Sequence, residues 1–318
     1  MRLNENIKLK DLYALPKLEA VKDCLISGGS FFTDNAELTL AQLCGRTKWN
    51  IKDILFGLEN VIKKDCKVFS LYESNPGKEN VRLTYLPSEN KAKDYYAILL
   101  AGGAYGAVCT MIEAYPTAAW LNKIGIDCFC LNYETASPKC FENGLLPAPL
   151  DDLAEAYRFI EANGLVSRPA KYVVCGFSAG GHTASLWGTG HLGASKYGIP
   201  QAKALWLVYP LITIENMPDS PTKNYLCTGM FGKNYTLDII RSFDASRNAD
   251  KDYPKTYIVR ALDDDTVGRK DGDDLKSALD ILNVSCVIEQ HETGGHGFGL
   301  GMDSPVFGWA DRACKFTE

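Results

Sequence analysis

The sequence lacks the roughly 20 consecutive apolar residues that a helix needs to cross a bilayer. Residues 1–21, MRLNENIKLKDLYALPKLEAV, also lack the apolar core of a secretory signal peptide. An excess of positive charge is absent too, because the net charge is −5, which gives no attraction to nucleic acid or anionic lipid. We therefore expect neither a membrane nor a nucleic-acid partner.

Paired cysteine motifs are missing as well. The eleven cysteines are scattered and include no Cys-x-x-Cys pair, so neither a zinc knuckle nor a dithiol redox site is indicated. Cys128, Cys130 and Cys175 lie within apolar runs, where cysteine behaves as a small hydrophobic residue. We expect reduced thiols and a cytoplasmic location.

Residues 1–66 show helical periodicity. Apolar residues recur at spacings of three and four in the segments 15–26, 38–45 and 50–64. The last two segments could be taken for a helix-turn-helix, but basic and acidic residues are nearly balanced here, whereas DNA-reading modules are usually much more basic. We predict a small helical region that packs on the rest of the chain or on a partner. If the partner is a second copy of the chain, these helices would form a homo-oligomer.

Strand and helix patterns alternate over residues 67–318. Two strand patterns, at 67–72 and 81–87, come first and are joined by a turn-rich segment. Near-continuous apolar strands then alternate with helices, which is typical of a mainly parallel sheet covered on both faces. We predict one α/β domain over 67–318 with a long irregular stretch at 211–254. The later predicted strands are 95–103, 126–133, 171–176, 203–210, 255–262 and 285–292, and the predicted helices include 108–124, 149–164, 272–282 and 307–316.

Ser178 stands between two glycines in the pattern Gly176-x-Ser178-x-Gly180, after a predicted strand and before a predicted helix. The pattern in that context is typical of a nucleophile elbow, a sharp strand-to-helix turn that exposes a serine hydroxyl. The glycines are needed because flanking side chains would clash, and the helix N-terminus that follows favours negative charge. The pentapeptide alone is only suggestive, and its context indicates that Ser178 is a nucleophile.

A serine nucleophile needs a base and an acid that orients the base. Of only four histidines, His296 lies in the glycine-rich segment GGHGFGL after the last predicted strand, where its imidazole can reach the strand ends. His182, four residues after the serine, is interpreted as structural. The run Asp263-Asp264-Asp265 follows another predicted strand and offers the acid. The order serine, aspartate, histidine is the one expected for this triad.

The segment LLAGGAYG, residues 99–106, follows an earlier predicted strand, where the backbone N–H groups of an oxyanion hole are expected. Gly102, Gly103 and Ala104 have little or no side chain, so a substrate carbonyl can approach the backbone closely. A plain strand-ending turn is the alternative. The position of the segment in the chain favours the oxyanion loop.

Together these segments resemble the α/β-hydrolase superfamily, and within it the acetyl-esterase and acetylxylan-esterase-like group, which is related to the hormone-sensitive-lipase type esterases. The resemblance covers roughly residues 80–316 and rests on AGGAYG, NYETA…PAPLDDLAEAYRFI, GFSAGGH, LVYPLI, DDDTVG and GGHGFGL, in that order. It implies an α/β-hydrolase fold with the small N-terminal helical region outside the shared core.

The resemblance also implies roles for single residues. Ser178 corresponds to the nucleophile, and His296 to the general base and later acid. The acid loop of the group usually reads Asp-x-x-Val-Pro, a frame that Asp264 fits, with Asp265 as the fallback. The implied oxyanion donors are the backbone N–H groups of Ala179 and of Gly103 or Ala104.

Three residues depart from the group's pattern. Ala101 stands where many relatives have His or Pro, and Ala104 where many have Gly, but an alanine keeps its backbone N–H. Gly268 replaces the usual proline and is expected to loosen the acid loop.

The expected activity is hydrolysis of short-chain carboxylic esters through an acyl-enzyme, and the resemblance alone suggests acetyl groups on sugars. The partner is then a small-molecule ester, and this chemistry requires neither a cofactor nor a metal. The alternatives are a serine peptidase or amidase of the same fold, and a non-catalytic hydrolase-fold protein that binds a partner through residues 1–66. Tyr105, Tyr133 and Trp187 are candidates for the pocket lining, with core packing as the alternative reading.

Overall fold

The structure, a computed structural model, describes residues 3–64, 66–73, 75, 77–166 and 171–318. Its centre is one eight-stranded sheet in the order β1-β2-β4-β3-β5-β6-β7-β8. Only β2 is antiparallel to its neighbours, β1 and β4, and the other neighbouring strands are parallel. The strands are β1 Lys67–Ser70, β2 Arg82–Leu86, β3 Tyr95–Leu100, β4 Cys128–Asn132, β5 Lys171–Phe177, β6 Ala204–Val208, β7 Thr256–Ala261 and β8 Cys286–His291.

The predicted α/β-hydrolase architecture is confirmed. Every residue of β3, β4, β6 and β7 is buried, as expected when helices cover both faces of a parallel sheet. The helices are α1 Leu9–Tyr13, α2 Lys22–Leu25, α3 Phe31–Asn35, α4 Leu40–Thr47, α5 Ile51–Lys63, α6 Ala114–Lys123, α7 Cys140–Asn143, α8 Ala148–Ala162, α9 Ser178–Trp187, α10 Pro221–Phe231, α11 Leu237–Ser242, α12 Ala245–Asn248, α13 Lys270–Ile281 and α14 Trp309–Thr317, with short 3-10 turns at Pro16–Leu18, Ala194–Tyr197 and Ile214–Asn216.

Two predicted helices are wrong in extent. The one predicted over 108–124 begins only at Ala114, because Val108 exchanges two backbone hydrogen bonds with Ser27 instead of joining a helix. The one predicted over 15–26 is broken into a 3-10 turn and α2. In the first case a contact with the N-terminal region replaces local helix geometry.

The stretch 211–254, predicted to be irregular, carries the three helices α10, α11 and α12. Each begins at a capping side chain, with Ser220, Thr236 and Asp244 accepting backbone N–H groups of the first turn. Ser, Thr and Asp are preferred at such positions because they satisfy otherwise unpaired N–H groups. The capping residues could therefore have been recognised in the sequence. The helices themselves were not predicted because their apolar residues show only weak helical spacing.

The N-terminal helices pack on the sheet domain within the same chain. Helix α5 buries Ile54, Leu58 and Val61, and Gly57 allows close approach to α6, since a Cβ there would lie 2.6 Å from the Pro116 nitrogen. Helix α5 is therefore a packing helix and its apolar face is covered, which does not suit a DNA-reading helix. Among the described residues, no helix is both long and apolar enough to span a membrane.

Candidate active site

Ser178 lies at the sharp turn between β5 and α9. Its φ is +50°, a left-handed conformation that costs a non-glycine residue energy and is found mainly where the surroundings enforce it. A Cβ on Gly176 would lie 2.3 Å from the Gly180 carbonyl oxygen, and one on Gly180 would lie 2.1 Å from the Leu100 oxygen. The two glycines therefore permit the turn that presents the serine.

The glycine requirement is testable by stability. We expect Gly180→Ala to lower the free energy of unfolding by about 1–3 kcal/mol, because its methyl group would overlap backbone atoms. Gly45→Ala is the matched control, since a Cβ there meets nothing within 4 Å and alanine is favoured over glycine inside a helix by roughly 0.5–1 kcal/mol. Urea denaturation of both variants measures the difference. Equal stability of the two variants would contradict the packing argument.

His296 and Asp264 lie next to Ser178 in a hydrogen-bonded chain. His296 Nε2 is 2.9 Å from Ser178 Oγ, and His296 Nδ1 is 2.8 Å from Asp264 Oδ2. The second oxygen of Asp264 accepts the backbone N–H groups of Thr266 and Val267, each at 2.9 Å. These bonds hold the carboxylate as an acceptor, so Nδ1 carries the proton and Nε2 is free to accept the serine hydroxyl.

The neighbouring aspartates have other contacts. Asp263 Oδ1 accepts the backbone N–H of Gly295 at 2.7 Å, and so ties the acid loop to the histidine loop. Asp265 is exposed and lies 3.6 Å from the Lys48 ammonium. A hydrogen bond from the Thr266 hydroxyl, together with the charge of Lys48, lowers the pKa of Asp265 below its usual value. Neither of these two carboxylates is hydrogen-bonded to His296 in the described contacts.

The predicted oxyanion loop lies directly beside the serine. A Cβ on Gly102 would be 2.8 Å from Ser178 Cβ. Gly103 has a φ of +135° and Ala104 a φ of +53°, so the chain turns tightly immediately after β3. The N–H of Gly102 donates a hydrogen bond to the Glu113 carboxylate. The N–H groups of Gly103 and Ala104 are therefore the candidate oxyanion donors from this loop.

Ala179 supplies the candidate donor on the opposite side. It is the second residue of α9, and the first four N–H groups of a helix have no partner within the helix. The helix N-terminus also carries partial positive charge, which favours an anionic oxygen there. The structure thus brings together Ser178, His296, Asp264, Gly103, Ala104 and Ala179, the residues that the sequence predicted for one site.

The histidine on the nucleophile helix lies elsewhere. His182 is buried, with Nδ1 2.7 Å from the Tyr105 hydroxyl and Nε2 2.8 Å from the Phe243 carbonyl oxygen. Burial lowers the pKa of His182 to about 4, so it is a neutral packing residue. Tyr105, Tyr133 and Trp187 are likewise fully buried, which corrects their candidacy for the pocket lining in favour of core packing.

Sequence reasoning missed Glu113 and Tyr209. The Tyr209 hydroxyl donates a hydrogen bond to Glu113 Oε1 at 2.8 Å, and the Tyr209 ring lies 4.8 Å from the His296 ring. Glu113 is buried and is the one charged residue in the apolar segment VCTMIEAYPTAAWLN. This isolated acid could have indicated a buried polar contact, because a single charge in a buried segment requires a polar partner.

The N-terminal region also reaches the histidine loop. The buried Asp53 accepts the backbone N–H groups of Gly301 and Met302 at 2.7 and 3.0 Å, while the Asn50 amide donates to the Met302 oxygen at 2.6 Å. Burial raises the pKa of Asp53 to about 6. Residues outside the predicted catalytic domain therefore hold the loop that follows His296.

Two aromatic side chains of the N-terminal region stand at the same loop. A Cβ on Gly297, adjacent to His296, would lie 3.3 Å from the edge of the Trp49 indole. The Phe31 ring is 5.5 Å from the Trp49 ring, and both side chains are partly exposed. On the opposite side, a Cβ on Gly29 would lie 3.0 Å from the oxygen of Gly106, which closes the oxyanion loop. Residues 29–49 thus run between the two loops that flank Ser178.

The chain is similar in sequence to proteins of known family. The family model BD-FAE matches residues 84–279. A curated acetylxylan esterase from Xylanibacter ruminicola is 28% identical over 243 residues, which cover 74% of this chain and 47% of that protein. The chain therefore spans about half the length of this relative.

Solved structures share the fold. An acetyl ester-xyloside bifunctional hydrolase from Caldicellulosiruptor lactoaceticus superposes with a TM-score of 0.65 and 24% identity, covering 79% of this chain and 94% of that one. A truncated carbohydrate esterase from gut microbiota gives a TM-score of 0.63 and 19% identity, covering 79% of this chain and 95% of that one. At these identities the likeness establishes the architecture.

Proposed function

The chain belongs to the BD-FAE family of α/β-hydrolases, whose model matches more than half of it, and we propose that it is a serine esterase acting on short-chain carboxylic esters. The observation that carries the proposal is the hydrogen-bonded chain from Ser178 through His296 to Asp264, with links of 2.9 and 2.8 Å. Such a chain matches the geometry required of a nucleophile, its base and the acid that orients the base.

In the proposed reaction, Ser178 Oγ attacks the ester carbonyl carbon while His296 Nε2 takes the hydroxyl proton. The carbonyl oxygen becomes an oxyanion, and the N–H groups of Ala179 and of Gly103 or Ala104 donate hydrogen bonds to it. His296 then gives its proton to the departing alcohol oxygen, which leaves an acyl-serine. Asp264 remains ionised throughout and stabilises the imidazolium.

Deacylation repeats the same steps with water. His296 Nε2 removes a proton from the water, the hydroxide attacks the acyl carbon, and the second tetrahedral intermediate collapses. The proton returns from His296 to Ser178 Oγ, and the carboxylic acid is released. The groups named are sufficient for both half-reactions, so the proposal includes no metal or cofactor.

Acetylated sugars are the proposed substrates within this class. The acetylxylan esterase relative supports this choice, as does the Phe31–Trp49 pair at the rim of the site. Aromatic faces provide flat apolar surface with little conformational entropy to lose, and the apolar C–H face of a pyranose can stack on them. The Trp49 indole is also adjacent to the histidine loop, and in the proposed reaction His296 of that loop protonates the departing alcohol.

The activity is tested with nitrophenyl esters from acetyl to long-chain acyl, together with acetylated xylo-oligosaccharides and an anilide. We expect acetyl and other short acyl esters to react fastest, and a fluorophosphonate to label Ser178 in stoichiometric amount. Preference for the anilide would favour the amidase alternative. Failure of the fluorophosphonate to label Ser178 would contradict the proposed esterase and favour a non-catalytic binding protein.

The aromatic pair gives a separate prediction. We expect Phe31→Ala to raise the KM for acetylated xylo-oligosaccharides about 2- to 10-fold, the effect of one lost aromatic contact, with little change for methyl acetate. Phe56→Ala is the control. Phe56 lines a cavity with Glu89 and Asn90, which follow β2 and lie at the amino ends of the parallel strands, away from Ser178. An equal effect of Phe31→Ala on both esters would refute sugar stacking at this position.

A further inference from the structure

Glu113 is a buried carboxyl that the proposed reaction does not use. It immediately precedes α6 and is only 5% exposed. Removing a carboxylate from water is costly unless hydrogen bonds or opposite charge compensate. An apolar side chain could fill the same space without this cost of burial. The contacts of Glu113 therefore have to explain why a carboxylate is present.

Both oxygens of Glu113 accept hydrogen bonds from the active-site loops. Oε2 accepts the backbone N–H of Gly102 in the oxyanion loop. Oε1 accepts the hydroxyl of Tyr209 at 2.8 Å, and the Tyr209 oxygen in turn accepts the N–H of Gly299 at 3.2 Å. One carboxylate therefore connects the oxyanion loop, the residue after β6 and the histidine loop.

Tyr209 also places this network against the base. Its ring lies 4.8 Å from the His296 ring, and its φ of +36° is strained for a non-glycine residue. The hydrogen bond that Tyr209 donates to Glu113 and the one that it accepts from Gly299 therefore fix the ring that packs against the imidazole. Because Gly102 N–H is also fixed, the peptide units that follow it, which carry the Gly103 and Ala104 amides, start from a defined orientation.

The charges around Glu113 are few. Burial raises the pKa of Glu113, while the bonds from Gly102 and Tyr209 and the positive charge of protonated His296 lower it. Burial also raises the pKa of the neighbouring acids well above neutral pH, so they carry no charge near pH 7. These neighbours are Cys109, Tyr133, Cys175 and Tyr209. Asp264, Ser178 and Tyr209 contact His296. Asp263 binds the neighbouring Gly295 N–H, and Glu113 lies behind Tyr209 as a further carboxylate.

We propose that Glu113 is a positioning residue of the reaction, which orients the oxyanion-loop amides and stabilises the positive charge that His296 acquires when it takes the serine proton. This proposal rests on the proposed esterase function. Glu113 touches no reacting atom and acts through Gly102 and Tyr209. Its charge acts on the imidazolium through a low-dielectric interior, where electrostatic interactions are stronger than in water.

The test is Glu113→Gln, which keeps the size of the side chain but removes its charge and one acceptor. We expect kcat for nitrophenyl acetate to fall on the order of 10- to 100-fold, somewhat less than loss of an oxyanion donor, with KM nearly unchanged. The variant lacks the negative charge that is proposed to stabilise the imidazolium formed in the reaction. The acid limb of the kcat/KM profile should therefore move to lower pH.

Two further variants separate charge from positioning. Tyr209→Phe removes the bonds to Glu113 and Gly299 but retains the carboxylate, so kcat should fall while the acid limb does not move to lower pH. Glu113→Asp retains the charge, and its acid limb should stay near that of the unmodified protein. If Glu113→Gln does not fold, Tyr209→Phe and Glu113→Asp still test the proposal.

The outcomes distinguish this proposal from the esterase assignment. If the unmodified protein hydrolyses esters and labels at Ser178, but Glu113→Gln keeps its kcat and acid limb, Glu113 has no positioning role. A lower kcat explained entirely by a smaller fraction of fluorophosphonate-reactive protein, with the acid limb unmoved, would likewise reduce Glu113 to a folding role. If the unmodified protein neither hydrolyses esters nor labels, the esterase assignment itself fails.

Discussion

Replacing Ser178 with alanine is expected to lower kcat for nitrophenyl acetate on the order of 10⁵- to 10⁶-fold, the loss typical of removing the nucleophile from a serine–histidine–aspartate set. The hydroxyl is the atom 2.9 Å from His296 Nε2, and alanine leaves the imidazole with no proton to take. Initial rates of nitrophenol release, with enzyme concentration set by absorbance, measure the effect.

The matched control for this experiment is Ser185→Ala. Ser185 lies on the same helix, and its hydroxyl donates to the His182 carbonyl oxygen at 2.8 Å. It should retain the activity of the unmodified protein, apart from any loss of folded material. Comparable activity in Ser178→Ala and Ser185→Ala would overturn the assignment of the nucleophile.

Asp264→Asn is expected to have the next largest effect, a fall in kcat on the order of 10⁴-fold, as found when the orienting acid of such a set becomes an amide. An amide can donate to Nδ1, which then has to act as an acceptor, and Nε2 carries the proton. Such a histidine cannot take the serine proton. A pH profile of kcat, run beside circular dichroism to verify folding, measures the loss.

The adjacent aspartates provide the controls that decide between the three acids. Asp265 is exposed and pairs with Lys48, so Asp265→Asn should leave kcat within about 2-fold, as surface ion pairs contribute little. Asparagine at 263 keeps an oxygen for the Gly295 N–H, so its effect should also be small. If Asp265→Asn loses activity and Asp264→Asn does not, the acid has been misassigned.

Much of the site could be predicted because its parts are local in sequence. Each element combines a strand end with small or polar residues: glycines around Ser178, three aspartates after β7, and glycines around His296. Since the carboxyl ends of parallel strands lie on one edge of a sheet, correct strand prediction was enough to place these segments together. The motif frame then singled out Asp264, whose carboxylate lies 2.8 Å from the histidine.

The remaining features depend on pairings that no local pattern encodes. Glu113 meets Tyr209 across 96 positions. Glu113 belongs to no recognised segment, and Tyr209 lies in LVYPLI with no role indicated by the sequence. The shortened start of α6 follows from pairing of Val108 with Ser27. Local propensity cannot reveal a segment whose partner lies far away, because tertiary contacts override it. Residues 1–66 could likewise be predicted as helical from local spacing. Their position beside the active site depends on long-range contacts and could not be predicted.

The attachment of the N-terminal region to the histidine loop has a consequence for synthesis on the ribosome. Asp53 and Asn50 bind backbone groups that lie 248 and 252 positions further along the chain. At common elongation rates those groups are made roughly 12–50 s later. During that interval the Asp53 carboxylate lacks its partners in the histidine loop, and incompletely folded nascent chains are prone to associate. Catalytic competence should therefore appear only after residues 301 and 302 have been made and can bind Asp53 and Asn50.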